Sequence, residues 1–190
     1  ALVAAHISAL GAKCDFLSVV GDDYCSRIVE EQLMQYNIPN ITLKDPSRPT
    51  TFKKRYTVGN QKLFRVSRLE EHKINIDIED KIVNMLEKLA PDANGIVVSD
   101  FIYGLITPRV LKSIRRIANK FGIMLFGDLQ CSTQVGSIKK FKDFSLLCPN
   151  EREARLAMQD KDSGLEQLSQ QLQRITRSKR LVMKLGPEGF

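Results

Sequence analysis

The sequence predicts an α/β protein built on a mostly parallel sheet, with one antiparallel ribbon inserted. Three observations carry this. Helical and strand patterns alternate along the chain. The strand segments are apolar on both faces, as strands covered from both sides are. One stretch, Thr51 to Arg68, breaks the alternation with two adjoining strands around a turn dipeptide. A length of 190 residues allows one sizeable domain with its own core.

The elements follow in order. Ala1 to Ala12 has helical composition and stops at Gly11, a suitable C-cap. A chain that begins at the edge of a helix, without a lead-in, is expected of a fragment. Phe16 to Val20, "FLSVV", reads as a buried strand ending at Gly21. Asp22 and Asp23 open a helix through about Tyr36, where acids suit the positive end of the helix dipole, and Asn37 and Pro39 end it. Ile78 to Ala90 is a helix with Ile82, Met85 and Leu89 on one side. "GIVVSD", Gly95 to Asp100, is an apolar strand ending in a carboxylate, and Pro108 starts a helix to about Phe121. "IMLFGD", Ile123 to Asp128, and "FSLLCPN", Phe144 to Asn150, are two more strands. Helices follow from Glu151 and from about Leu165, then a strand over Arg180 to Gly186.

The ribbon raises an electrostatic question. If Gly59-Asn60 is its whole loop, Val58 faces Gln61, Tyr56 faces Leu63 and Lys54 faces Arg65. Two cations side by side cost energy unless an anion lies between them. Such a ribbon sits poorly inside a parallel sheet, so it is expected to project from an edge as a flap.

Composition narrows the function classes. No apolar run approaches the roughly 20 residues of a membrane span, and the opening lacks the basic start and cleavage pattern of a signal peptide. Cys14, Cys25, Cys131 and Cys148 are scattered, with no C-x-x-C pair, which reads as reduced thiols of a cytoplasmic protein. The net charge of +7 comes partly from the ribbon and partly from Arg174, Arg177, Lys179 and Arg180. A basic balance suits anionic metabolites or nucleic acid. No zinc-finger spacing and no aromatic-basic motif supports nucleic acid, and the late cluster reads as a solvated surface.

In open α/β sheets, ligands bind beyond the carboxyl ends of the strands. Those ends carry Gly21-Asp22-Asp23, Ser99-Asp100, Gly127-Asp128, Asn150 and Gly186. Asn150 to Glu153 starts a helix straight after a strand, and reads equally as a capping box or as a holder of hydrated Mg²⁺ beside phosphates. Gly186-Pro187-Glu188-Gly189 reads as a plain turn or as backbone that lets a nucleotide approach.

Taken together, "ALVAAHISALGA", "VVGDD", "PTTFKKR…LFRVSR", "VVSDF…G", "GDLQ", "CPNEREA" and "KLGPEG" resemble the ribokinase-like (PfkB) sugar kinases over essentially the whole chain. The similarity is greatest to the heptose 7-phosphate kinase branch. The resemblance implies a three-layer, ribokinase-like (Rossmann-like) α/β fold: one partial carbohydrate kinase domain over residues 1–190, with a β-hairpin lid at about 48–70. It implies ATP and Mg²⁺ as cofactors, with Asn150 and Glu153 at the metal and phosphate site and Gly186 and Gly189 at the nucleotide. Arg55, Arg65, Lys54 and Asp100 would bind a small sugar phosphate. The lid often doubles as a homodimer contact in such enzymes, and neither nucleic acid nor membrane is an implied partner.

The sequence departs from the family pattern on the sugar side. Leu2, His6 and Ser26 replace an Asn, an Asn and a Gly. Tyr103 replaces the Lys of S-D-Y-x-K-G, and Gln130 that of D-P-K. The G-A-G-D motif, whose Asp is the family's base, is expected beyond Phe190, so no catalytic residue is assigned here. These departures leave an alternative open: a non-catalytic sugar- or nucleotide-sensing module of the same fold.

Overall fold

The computed structural model describes residues 1–130 and 137–190; of the four cysteines, Cys131 lies outside them. The chain divides into two compact units, Ala1–Ile82 with Tyr103–Leu105, and Val83–Ile102 with Ile106–Phe190. The division runs through one helix.

The first unit opens with helix α1 (Leu2–Ala9), strand β1 (Phe16–Val20), helix α2 (Tyr24–Gln35) and strand β2 (Asn40–Lys44). β1 and β2 pair in parallel, from Phe16 opposite Asn40 to Val20 opposite Lys44. Ala4, Leu33 and Ile38 form a small buried core, against which Phe16 and Val29 pack. The acid expected to start α2 is Asp23, which accepts a hydrogen bond from the Ser26 amide at 3.1 Å. β2 has no counterpart among the predicted elements. "NITLK" alternates apolar and polar residues over only five positions and is half-buried.

Strands β3 (Phe52–Val58) and β4 (Gln61–Arg68) form the ribbon as a sheet of their own. The register corrects the predicted one. Val58 faces Gln61 as expected, but a β-bulge follows, so that Tyr56 faces Phe64, Arg55 faces Arg65 and Lys54 faces Val66. One extra residue on β4, Leu63, moves every later side chain of that strand to the other face. Phe52, Lys54 and Tyr56 thus share a face with Phe64, Val66 and Arg68, and the Tyr56 and Phe64 rings stack with centroids 4.5 Å apart. Lys53, Arg55, Arg65 and Ser67 share the opposite face. Without the bulge, Arg55 would face Phe64 and Lys54 would face Arg65.

A buried knot holds the entrance of the ribbon. Asp45 is 1% exposed and accepts from the Ser47 amide, the Ser47 hydroxyl and Arg48 Nε. Arg48 also donates to the carbonyls of Tyr103 and His72, each at 2.8 Å, and Gly104 accepts from the Ile74 amide. A side chain on Gly104 would not fit: its φ is +80°, and a Cβ there would meet the His72 carbonyl oxygen. Helix α3 (Ile76–Leu89) follows and carries the division between the units.

The second unit is a four-stranded parallel sheet in the order β5 (Gly95–Asp100), β6 (Met124–Leu129), β7 (Leu146–Leu147) and β8 (Arg180–Leu181). Helix α4 (Pro108–Phe121) forms where its sequence signals put it. Thr107 caps the Val110 amide, Pro108 occupies the first turn, and Gly122 ends the helix at φ 69°. Val110, Leu111, Ile114, Ile117 and Ala118 make its buried stripe. Helices α5 (Glu151–Met158) and α6 (Leu165–Thr176) complete the unit. Phe141, Phe144, Leu129, Leu147, Leu168 and Leu172 are fully buried. Burying each such side chain is worth about 1.5–3 kcal/mol.

β7 and β8 are shorter than predicted. Pro149 has no amide to donate, so the ladder thins after Leu147, although its carbonyl accepts from the Lys184 amide at 2.8 Å. An isolated parallel bridge then pairs Asn150 with Lys184. Among the described residues, no helix is long and apolar enough to cross a membrane.

Candidate functional site

The second unit gathers most of the predicted site at one edge. Asp100 and Asp128 sit at the carboxyl ends of adjacent strands, in a register that sets Ser99 opposite Asp128. The bridge between Asn150 and Lys184 brings the start of α5 beside the approach to Gly186. Asp100, Asp128, Asn150, Lys184 and Gly186 therefore share the edge where open α/β sheets bind ligands.

Asn150 and Glu153 form a reciprocal capping box. Asn150 Oδ1 accepts from the Glu153 amide at 2.8 Å, and Glu153 Oε2 accepts from the Asn150 amide at 2.9 Å. Glu153 is 4% exposed, so the box fixes its carboxylate firmly at the helix start. Amide and carboxylate oxygens are the hard donors that Mg²⁺ takes. The donor set fits a hydrated Mg²⁺ that keeps its waters. It does not enclose a bare ion: among the described residues, no group of three His, Cys, Asp or Glu could hold one.

Gly186 and Gly189 bracket a turn of 3-10 helix, with φ of 67° and 91°, and the Leu185 amide donates to the Gly189 carbonyl at 2.8 Å. Both residues need left-handed backbone, which glycine supplies without a Cβ penalty.

Two lysines missed in the sequence meet the edge carboxylates. Lys140 Nζ pairs with Asp100 Oδ2, while Asp100 Oδ1 accepts from the Ile102 amide at 2.8 Å. Both oxygens of Asp100, a predicted sugar ligand, are thus engaged by its own chain. Asp100 is 3% exposed, so removing Lys140 would strand a buried carboxylate at a cost of about 3–5 kcal/mol. Lys184 Nζ lies 2.5 Å from Asp128 Oδ1, and Gln130 Nε2 donates to Asp128 Oδ2 at 3.3 Å. The Lys184 side chain is 41% exposed, and a pair so open to water adds only about 0–1 kcal/mol to stability. Burial pushes the neighbouring Cys148 thiol up, against the opposing pull of the Lys184 ammonium.

The remaining predicted residues belong to the first unit. Arg55 and Arg65 oppose each other on the polar face of the ribbon. Lys54 lies on the other face, its ammonium 4.9 Å from the Tyr56 ring centroid, so it does not act beside them. Lys53, not singled out in the sequence, shares the arginines' face and reaches the Tyr103 ring at 4.9 Å. Two quoted motifs meet at the ribbon's entrance. Gly21 donates to Thr50 Oγ1 at 3.0 Å, and Asp23 Oδ2 accepts the Thr50 amide at 2.9 Å. Burial raises the Asp23 carboxyl, but bonds from Thr50 and Ser26 outweigh it and hold it below the usual range.

A parallel α/β sheet whose carboxyl edge combines a helix N-terminus, a glycine turn, acids and lysines has its polar groups where proteins of this class bind ligands. The family model described as "pfkB family carbohydrate kinase" matches residues 2–190, and the chain belongs to that family. Over 173 residues it is 29% identical to the "Bifunctional protein HldE" of Campylobacter jejuni subsp. doylei, covering 91% of this chain and 35% of that protein. It thus spans about a third of that relative. Among solved structures, ribokinase from Giardia lamblia superimposes with a TM-score of 0.73 at 17% identity, over 92% of this chain and 57% of the other. Phosphofructokinase-2 from Escherichia coli in complex with fructose-6-phosphate gives 0.71 at 18%, over 98% and 61%. These likenesses establish the ribokinase-like fold.

Proposed function

We propose that the chain is the greater part of an ATP-dependent carbohydrate kinase domain. It would transfer the γ-phosphoryl group to a hydroxyl of a sugar phosphate, of the heptose 7-phosphate class. The observation that carries the reading is the backbone bridge between Asn150 and Lys184, which sets the N-x-x-E helix start and the glycine turn side by side at the sheet's carboxyl edge.

Phosphoryl transfer needs positioning and charge stabilisation more than covalent chemistry from the protein. The α5 N-terminus offers amide donors to phosphate oxygens, reinforced by the helix dipole. Gly186 and Gly189 give the nucleotide a bare backbone to lie against. Asn150 and Glu153 would hold a hydrated Mg²⁺, whose chemistry would be to neutralise charge on the phosphates. Arg55 and Arg65 would grip the sugar phosphate from the ribbon, which acts as the lid, and Lys54, on the ribbon's other face, takes no part in that grip. Guanidinium forks suit that anion, and it relieves the repulsion between them. No residue here is assigned as the base. An ATP-consuming enzyme with reduced thiols works in the cytoplasm.

The ribbon's aromatic face is the proposed homodimer contact. Phe64 and Val66 are 57% and 50% exposed there, and a two-stranded ribbon alone is marginally stable. Sedimentation of wild type against Phe64→Asp checks it: a dimer that survives the charge refutes the contact.

The test of function is turnover. The full-length polypeptide is incubated with ATP·Mg²⁺ and heptose 7-phosphate, and phosphorus NMR follows the product. A new sugar phosphate resonance with stoichiometric ADP is expected, along with its loss in Arg55→Ala/Arg65→Ala. No transfer to any sugar phosphate of a panel would overturn the reading.

A further inference from the structure

We propose that His72 is a positioning residue: its imidazole latches the foot of the ribbon, holding the chain that leaves β4 against the buried knot before β3. The inference rests on the kinase reading above, which makes the ribbon the lid, and it adds a residue that reading does not use.

The ribbon depends on its feet. Its two strands pair only with each other, and such a pair has little stability of its own. Phe52 faces Arg68 at its base, so the segments just before and just after set its direction. The entrance is rooted, because Gly21 and Asp23 hold Thr50, and the Asp45–Arg48 pair is buried. The exit, residues 69–73, is neither helix nor strand. Its side chains meet the entrance at His72.

The single hydroxyl hydrogen of Ser47 fixes the polarity of that meeting. Ser47 Oγ lies 2.6 Å from Asp45 Oδ1, and an ionised carboxylate can only accept. The hydrogen therefore points at Asp45, and Ser47 Oγ offers a lone pair to the ring. His72 Nε2, 3.0 Å away, is the donor. A relay of donors thus runs from the exit through His72 and Ser47 to a carboxylate that is buried at the entrance. On the other side of the ring, Nδ1 stands 3.9 Å from Glu70 Oε2, beyond hydrogen-bond reach.

The latch is separable from the fold. The backbone at this point is held independently: the His72 carbonyl accepts from Arg48 at 2.8 Å, and the Ile74 amide donates to the Gly104 carbonyl. The imidazole itself is 43% exposed, so little packing goes with it. Its contribution is to limit the swing of the ribbon about its entrance. Arg55 and Arg65 then meet a sugar phosphate from a fixed direction, and less ordering is left to be done on binding.

The experiment is steady-state kinetics of the full-length polypeptide with ATP·Mg²⁺ and heptose 7-phosphate, beside timed trypsin cleavage. Trypsin reads the ribbon directly, because Lys53, Lys54, Arg55, Lys62, Arg65 and Arg68 are its cleavage sites. His72→Leu is expected to raise KM for the sugar phosphate about three- to tenfold, the worth of one hydrogen bond, and to leave KM for ATP unchanged. Its ribbon should be cut faster, with sites elsewhere cut as in wild type. His72→Gln keeps a side-chain donor and should stay within about twofold of wild type on both measures. Ser47→Ala should add little in the His72→Leu background, since the latch is already open. An unchanged sugar phosphate KM in His72→Leu overturns the assignment and leaves the kinase reading intact. So does a His72→Gln as impaired as His72→Leu, or a KM for ATP that rises equally. Wild type that transfers no phosphoryl group sinks the kinase reading. The cleavage rates then decide by themselves whether His72 latches the ribbon.

Discussion

Replacing Arg48 by methionine tests whether the ribbon's entrance depends on one buried ion pair. Arg48 and Asp45 have side chains only 7% and 1% exposed, with Nε and Oδ2 2.7 Å apart. The same guanidinium satisfies the carbonyls of Tyr103 and His72. Methionine keeps much of the aliphatic volume and removes all three donors. Asp45 Oδ1 retains the Ser47 amide and hydroxyl, but Oδ2 loses its partner in a dry site. Breaking a buried pair from one side costs about 3–5 kcal/mol. We take the lower end, about 3 kcal/mol, because Ser47 still holds half of the carboxylate. Asp45→Asn in the same background removes the stranded charge, so the double variant should cost less than the two singles together, by about 0.5–3 kcal/mol. Urea unfolding followed by circular dichroism measures all four proteins of the cycle. A loss below about 1 kcal/mol for Arg48→Met, or strictly additive singles, would refute the reasoning.

Further outcomes follow from other parts of the molecule. Gly104→Ala should lower the melting temperature sharply, because alanine disfavours the φ of +80° and its Cβ meets the His72 carbonyl; an unchanged melting curve contradicts the packing. In the ribbon, Arg55→Cys/Arg65→Cys should cross-link under mild oxidation and Lys54→Cys/Arg65→Cys should not, since facing residues lie within disulfide reach; the reverse pattern would restore the bulge-free register. Asp45 is pushed up by burial and, more strongly, held down by bonds from Ser47 and Arg48. A lowered folded value means that this stability is full above the unfolded value near 3.8 and fades as the pH falls through the lower folded one. Acid titration should therefore show wild type losing stability below that point faster than Asp45→Asn. The Cys148 thiol, pushed up by burial, should react with iodoacetamide at neutral pH more slowly than a small-molecule thiol; faster reaction would contradict its surroundings.

What the sequence reveals tracks how local the determining interactions are. Helix α4 is legible to the residue because its cap, its proline and its closing glycine all lie within the segment. β5 is legible because its apolar run is unbroken and bounded. The capping box at Asn150 is legible for the same reason, as both partners fall within four residues. The bulge at Leu63 is not: nothing about a leucine in an apolar strand marks it as the extra residue. Lys140 and Lys184 escape notice because their partners stand 40 and 56 residues away, and any surface lysine looks the same in sequence. "DPSR" at Asp45 to Arg48 reads as a turn, and burial alone turns it into a knot. The quoted family motifs run through Asn150, Glu153 and Gly186, and the chain departs from them at Tyr103 and Gln130.

The bulge also explains how one small ribbon can present two unlike surfaces. Side chains alternate strictly along a strand, so a face can be uniform only if the two strands agree in phase. In the bulge-free register Arg55 would face Phe64, and Tyr56 would face Leu63 in place of its aromatic partner. Shifting β4 by one residue puts Phe52, Tyr56, Phe64 and Val66 together and leaves Arg55 opposite Arg65. Neither surface is content alone. The first leaves aromatic area in water, and the second sets two guanidiniums against each other. A two-stranded ribbon has little stability of its own to offset either. Anything that binds the ordered ribbon therefore stabilises it in proportion to its occupancy, by about 2.7 kcal/mol at a hundredfold excess over Kd. An anion on the arginine face and an apolar partner on the other would each order the same element. Order in the proposed lid is then coupled to substrate and to assembly by one residue's insertion.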